Sequence, residues 1–220
     1  KPDFDFQGNF LSTINLLESI RKFSKKTILI FSSTNKVYGD LKNFNYIEKK
    51  TRFTIKNNFK GFSENNYLDF KSPYACSKGS ADQYVLDYAR VFNLNTIVFR
   101  HSSVYGGRQF FTYDQGWVGW FCAQAIKHKL IKKTKFSISG NGKQVRDLVH
   151  IEDITRLYRL SFKNFKKLKG KAYNIGGGVK NSLSIIELLN FLEKKLKIKL
   201  NYHKINNRLY DQKIFISDNK

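Results

Sequence analysis

The sequence has no methionine, two cysteines and two prolines in 220 residues. Two thiols, Cys76 and Cys122, cannot build a disulfide framework or a cysteine-rich metal site, and they fit a reducing compartment. His101, His128, His150 and His203 stand without ligand spacing, so no metal is expected. No apolar run approaches the roughly 20 residues that a membrane span needs, and no signal peptide precedes the first helical residues. A cytoplasmic protein without a membrane partner is therefore expected. The chain starts at Lys1 rather than at a methionine, and we expect it to be part of a longer polypeptide.

Acidic residues are scarce as well: 17 Asp and Glu face 40 Lys and Arg, for a net charge of +23. Such an excess can mark a nucleic-acid binder, because clustered cations neutralise phosphates. The kind of cation points elsewhere. There are 31 Lys to 9 Arg, together with 20 Asn, which reads as coding bias toward A/T-rich triplets. Arg dominates where planar, bidentate phosphate recognition is selected, and the lysines are scattered apart from Lys163 to Lys171 and Lys194 to Lys199. We expect a solvated lysine surface and no nucleic-acid partner. A basic nucleic-acid-binding or non-catalytic α/β protein remains the alternative from another class.

What is present is an alternation of helices and short apolar runs. Phe6, Phe10, Ile14 and Leu17 recur at helical spacing between Phe6 and Phe23. Thr27 to Phe31 (TILIF) predicts a strand buried on both faces, as in a parallel sheet. Gly39 to Lys71 predicts loop. Pro73 opens a helix that runs to about Phe92, since its missing N–H costs nothing in the first turn. Thr96 to Phe99 and Ala172 to Ile175 read as strands, and Trp117 to Lys129 and Ile151 to Phe165 as helices. Asn141-Gly142 between Phe136–Ser139 and Gln144–Val149 predicts a hairpin. Ser184 to Glu187 forms a capping box for a helix that presents Ile185, Leu188, Leu189 and Leu192 on one face. The alternation predicts a parallel α/β sheet, with the hairpin and later elements in a second, smaller lobe.

The candidate chemistry centres on Tyr74-Ala-Cys-Ser-Lys78. A spacing of four puts the phenol and the ammonium on one helical face. A phenol titrates near 10, and bringing it near 7 requires about 4 kcal/mol of preference for the phenolate, which a nearby cation favours. The spacing alone also describes a packed tyrosine beside a surface lysine. Ser32-Ser33-Thr34 adds hydroxyls just past the carboxyl end of the TILIF strand, where open α/β sheets bind ligands, although an ordinary strand-end turn has the same composition.

With these stretches in view, the sequence resembles the extended short-chain dehydrogenase/reductases that modify nucleotide sugars. SSTNKVYGD from Ser32, SPYACSKGSADQYVLDYAR from Ser72, FRHSSVYGGRQF from Phe99, DQGWVGWF from Asp114, GNGKQVRDLVHIED from Gly140 and YNIGGG from Tyr173 carry the likeness across nearly the whole chain. The resemblance implies an α/β fold: a partial Rossmann-type doubly wound parallel sheet, with the first βαβ units missing, and a smaller C-terminal substrate-binding lobe. Residues 1–115 would form the carboxyl-terminal part of the NAD-binding domain, and 116–220 mainly the substrate lobe, with some segments returning to the first.

By position, the resemblance implies Tyr74 as base, Lys78 on the nicotinamide ribose and Thr34 on the substrate. Asn9, Ser32, Ser33, His101 and Ser102 would lie along NAD, and Ser103, Arg146 and Arg208 along the substrate, the two arginines on its diphosphate. Gly176-Gly177-Gly178 lacks the G-x-G-x-x-G spacing and reads as a tight strand-to-helix connection. Related 4,6-dehydratases carry Thr-Asp-Glu where this chain has Thr34-Asn35-Lys36; without those carboxyls, dehydration is disfavoured and epimerisation through a transient keto-sugar is expected. The likeness favours C2 of a CDP-linked dideoxy sugar, with a UDP-sugar 4-epimerase as the alternative. It also implies a homodimer or higher homo-oligomer and a place in carbohydrate, including lipopolysaccharide, biosynthesis.

Overall fold

The computed structural model describes residues 1–56, 58–131 and 135–219. The chain opens with α1 (Pro2–Asp5), a six-residue π-helical stretch (Phe6–Leu11) and α2 (Ser12–Phe23), wound continuously. Within it Ser12 Oγ and Thr13 Oγ1 donate to the carbonyls of Gly8 and Asn9, both at 2.6 Å, side-chain partners that the widened turn accommodates. The expected apolar face is only partly inward: Leu17 is fully buried, whereas Phe6 is 49% exposed.

Strand β1 (Ile28–Thr34) leads into a 3-10 turn (Asn35–Tyr38) and a small antiparallel pair, β2 (Tyr46–Glu48) and β3 (Phe53–Ile55). That pair falls inside the stretch expected to be loop, and single-sequence periodicity has little to show over three-residue strands. Helix α3 (Pro73–Phe92) starts as expected: Pro73 takes the first turn and Ser72 accepts from the Ala75 N–H at 3.0 Å. It ends at Asn93, whose φ of 58° suits asparagine better than a branched residue. The chain continues through β4 (Asn95–His101), β5 (Ser103–Tyr105), α4 (Trp117–Ile131), β6 (Phe136–Ser139), β7 (Val145–His150), α5 (Ile151–Lys163), α6 (Phe165–Leu168) and β8 (Ala172–Ile175). It then forms β9 (Ser182–Ser184), α7 (Ile185–Leu196), β10 (Tyr202–Ile205) and β11 (Ile214–Phe215).

Strands β1, β4 and β8 form a parallel sheet in that order, with Thr34 opposite His101 and His101 opposite Ile175, so three carboxyl ends lie level. The double burial expected of β1 belongs to β4. Ile30 and Phe31 of β1 are half-buried, while Ile97, Val98 and Phe99 of β4 are at most 1% exposed. The cause is sheet order: β4 is flanked by a strand on each side, and it packs Val98 against Leu17, Ile20 and Val85 on one face, Ile97 and Phe99 against Phe165 on the other.

The hairpin predicted at Asn141-Gly142 does not form. β6 pairs in parallel with β10, and β7 pairs with β5 and β11 in parallel and β9 in antiparallel. A two-residue type I′ turn needs positive φ at both central residues. Here Gly140 and Gly142 have φ of 66° and 76°, while Asn141 stays outside that region and accepts from the Lys143 N–H at 3.0 Å. Hydrophobic demand also separates the two strands. Phe136 and Ile138 are buried with Phe121, Leu188 and Leu189, whereas Val145 packs with Phe62, Ile214 and Phe215. The capping box at Ser184 is present in both directions. Among the described residues no helix is long and apolar enough to cross a membrane.

Candidate active site

The carboxyl ends of β1 and β4 and the first turn of α3 meet at one place. Thr34, 8% exposed, caps the 3-10 turn by accepting from the Lys36 N–H at 3.2 Å. Tyr74 is the second residue of α3, and it lines the same cleft as Thr34 at the end of β1. Burial pushes the phenol up from its usual value near 10, and the nearby Thr34 hydroxyl opposes that rise. The Lys78 ammonium, one turn along, donates to the Ser32 carbonyl and lies 4.3 Å from the centre of the Phe31 ring, with its own pKa lowered by burial against the pull of Asp82.

A cleft of about 350 Å³ opens over these strand ends, lined by Ser32, Ser33, Thr34, Tyr74, His101 and Ser102 together with Tyr158 of α5. Burial and the Lys78 charge push His101 down to about 4, so its ring is neutral at pH 7. Its Nε2 is 3.1 Å from the Tyr158 hydroxyl. His101 Nδ1 is buried without a hydrogen-bond partner among the described residues. Two predicted hydroxyls are already committed. Ser33 Oγ donates to Asp82 at 2.7 Å, and Ser102 Oγ donates to Asp147. Asp82 in turn takes both Nε (2.9 Å) and Nη2 (2.8 Å) of the buried Arg100, so Ser33 is tied to an internal ion pair.

A second cleft, about 360 Å³, lies on the other side of Tyr74, which lines both. Ser103, Arg146 and Arg208 line it. Ser103 Oγ accepts from Trp117 Nε1 at 3.1 Å. Arg146 donates through Nη1 to the carbonyls of Val145 (2.7 Å) and Gln212 (2.8 Å), and through Nη2 to Asp211 Oδ1 (2.7 Å). Arg208 Nη2 donates to Asp114 Oδ1 at 3.0 Å. Burial raises the Asp211 carboxyl, but Arg146, Lys36 and Arg208 together hold it below the usual carboxylate range.

Asn9 lines neither cleft; its Nδ2 donates to Ser77 Oγ on α3 at 3.1 Å. Gly176-Gly177-Gly178 is a structural connection, as expected. A Cβ on Gly176 would fall 2.0 Å from Asp147 Oδ2, and Gly178, at φ 70°, donates its N–H to that same oxygen at 3.0 Å. Sequence reasoning missed Tyr158, Asp211 and Trp117. The helical pattern around Tyr158 marks a core position, and nothing local ties Asp211 to a cleft 175 residues away at Lys36.

The sequence and fold that carry this site have known relatives. The chain is 52% identical to CDP-paratose 2-epimerase of Salmonella typhi over 219 residues, 100% of this chain and 65% of that protein. It is 29% identical over 197 residues to a putative UDP-glucose 4-epimerase of Methanocaldococcus jannaschii, covering 89% of this chain and 55% of the relative. The chain thus spans between about half and two thirds of the length of these two curated relatives. The solved UDP-glucuronic acid 4-epimerase of Bacillus cereus, in complex with UDP-glucuronic acid and NAD, superposes with a TM-score of 0.73 at 26% identity, over 96% of this chain and 58% of that one. Residues 1–176, which carry both strand ends, Tyr74 and Lys78, match a single family model, and the chain belongs to the NAD dependent epimerase/dehydratase family.

Proposed function

We propose that the chain is the larger part of an NAD-dependent nucleotide-sugar epimerase and that its substrate is a CDP-linked sugar inverted at C2, as the name of its 52%-identical relative describes. The observation that carries this reading is Tyr74, which lines both clefts at once and shares the first with Thr34.

The first cleft suits the nicotinamide end of NAD, since it offers the Ser32 hydroxyl, a neutral His101 with an unpartnered Nδ1, and Lys78 held beside it. Ser32, Ser33, His101, Ser102 and Lys78 are assigned to that end, and Asn9 to the same cofactor along α3. Bound there, NAD would supply the hydride acceptor and donor for oxidation of the sugar carbon to a transient ketone and its reduction from the opposite face. Tyr74 removes the hydroxyl proton as the hydride leaves and gives it back on return, with Thr34 holding the same oxygen. Because burial favours the neutral phenol, the phenolate needs a positive charge close by, and Lys78 is the chain's own source.

Ser103, Arg146 and Arg208 are assigned to the nucleotide sugar, the arginines to its diphosphate. Asn35 Nδ2 donates to Gln212 Oε1 (3.2 Å), Gln212 Nε2 donates to the Asn35 main-chain carbonyl (3.1 Å), and Lys36 binds Asp211; neither residue carries the carboxylic acid that elimination of water needs. Residues 1–115 are assigned to the cofactor domain and 116–220 mainly to the substrate lobe, in a cytoplasmic homodimer or higher oligomer that serves lipopolysaccharide sugar synthesis. Incubating the full-length protein with NAD and CDP-paratose and following the sugar protons by NMR should show conversion to the C2 epimer. Conversion of UDP-glucose alone selects a 4-epimerase, and turnover of neither refutes the epimerase reading.

A further inference from the structure

The second cleft contains a cation that the two arginines leave unexplained. Lys36 stands two residues after Thr34 on the 3-10 turn, and its own N–H donates to Thr34 Oγ1, so its backbone is fixed relative to that hydroxyl. Its side chain enters the cleft that Tyr74 lines. There Nζ donates to Asp211 Oδ1 at 3.0 Å, and Arg146 Nη2 donates to the same oxygen at 2.7 Å. Two cations from different elements, the turn and β7, therefore converge on one anionic oxygen, while Arg208 reaches Asp114 elsewhere on the lining. A point where two N–H donors meet one carboxylate oxygen is equally suited to a phosphate oxygen. Burial and the neighbouring Arg146 push the Lys36 ammonium toward neutrality and Asp211 opposes them, so an anion in front of Lys36 keeps it charged.

We propose that Lys36 binds the phosphate attached to sugar C1, displacing Asp211 from its ammonium, a step that rests on the nucleotide-sugar reading above. Its consequence is positional. An anchor on the Thr34 turn holds C1 near the Thr34–Tyr74 pair, and the carbon bonded directly to C1 is C2, whereas C4 lies across the ring. Lys36 is thus a specificity-determining residue for the carbon presented.

Calorimetric titration of the full-length protein with CDP and UDP, and with CMP and UMP, tests this. The diphosphates carry the distal phosphate and the monophosphates do not. Lys36→Gln should weaken the diphosphate that binds wild type by roughly 10- to 100-fold, the range for one charge-assisted contact, and leave the matching monophosphate unchanged. An unchanged diphosphate affinity, an equal loss for the monophosphate, or no diphosphate binding to wild type overturns the proposal. Reductive methylation of wild-type protein, read by mass spectrometry, gives the answer without a variant: the diphosphate should protect Lys36 and the monophosphate should not, and equal labelling in both overturns it. Binding is the readout throughout, so a failure here is separable from a failure of turnover.

Discussion

Replacing Asp82 by Asn removes one negative charge from the interior while leaving the shape of the site intact. Asp82 is fully buried and Arg100 is 3% exposed. The guanidinium holds the carboxylate through Nε and Nη2, and its Nη1 donates to the Tyr38 hydroxyl at 2.9 Å. Burial works against the Arg100 cation, and Asp82 and Tyr38 raise its pKa above the ordinary value; a guanidinium stays protonated in proteins, so Asp82→Asn leaves the charge buried without its counter-ion. Removing one member of a buried pair costs about 3–5 kcal/mol, because the other is left uncompensated. For a chain of this size each kcal/mol moves Tm by roughly 2–4 °C, so Asp82→Asn should lower it by roughly 6–20 °C. The double replacement Asp82→Leu with Arg100→Met should cost less than the single one, since it leaves no unpaired charge. Scanning calorimetry of the three proteins decides the matter. A single-variant shift within about 2 °C of wild type, or a double variant less stable than the single, refutes the reasoning.

Two further outcomes follow from the same structure. His101 titrates near 4 when folded against 6.5 when free, so the unfolded chain binds more protons between those values. Stability from this group is present above about pH 6.5 and lost as pH falls toward 4, by up to about 3 kcal/mol; the urea midpoint of wild type should therefore fall relative to that of His101→Gln as pH drops through that window, and a constant difference between the two contradicts this. At the start of α7, Ser184 Oγ accepts from the Glu187 N–H at 3.0 Å and donates to the Thr51 carbonyl at 2.7 Å, so Ser184→Ala should cost about 1–2 kcal/mol in urea unfolding.

Local signals were legible and long-range ones were not. Ser72-Pro73 and the Ser184 box identify helix starts because their hydrogen bonds close within three residues. The strand at 172–175 is legible from its apolar run, but its place beside β4 depends on a crossover that no local pattern states. Asn141-Gly142 misleads because the turn is real while its flanking strands are pulled into separate cores. At the site, the resemblance picks out Tyr74, Thr34 and Lys78, and the fold does bring them to one strand end. The bond that fixes Lys78 was illegible: spacing of four places it on the face of Tyr74, but the Ser32 carbonyl it donates to lies 46 residues away. Tyr158 and Asp211 join their clefts through contacts spanning 57 residues (to His101) and 175 residues (to Lys36), beyond any sequence window.

The central claim is that one phenol moves the proton of a bound sugar. Turnover and nucleotide affinity of the full-length Tyr74→Phe variant, measured side by side, test it most directly. Turnover should fall by roughly 10²–10⁴ while affinity stays close to wild type; near-normal turnover in that variant contradicts the account.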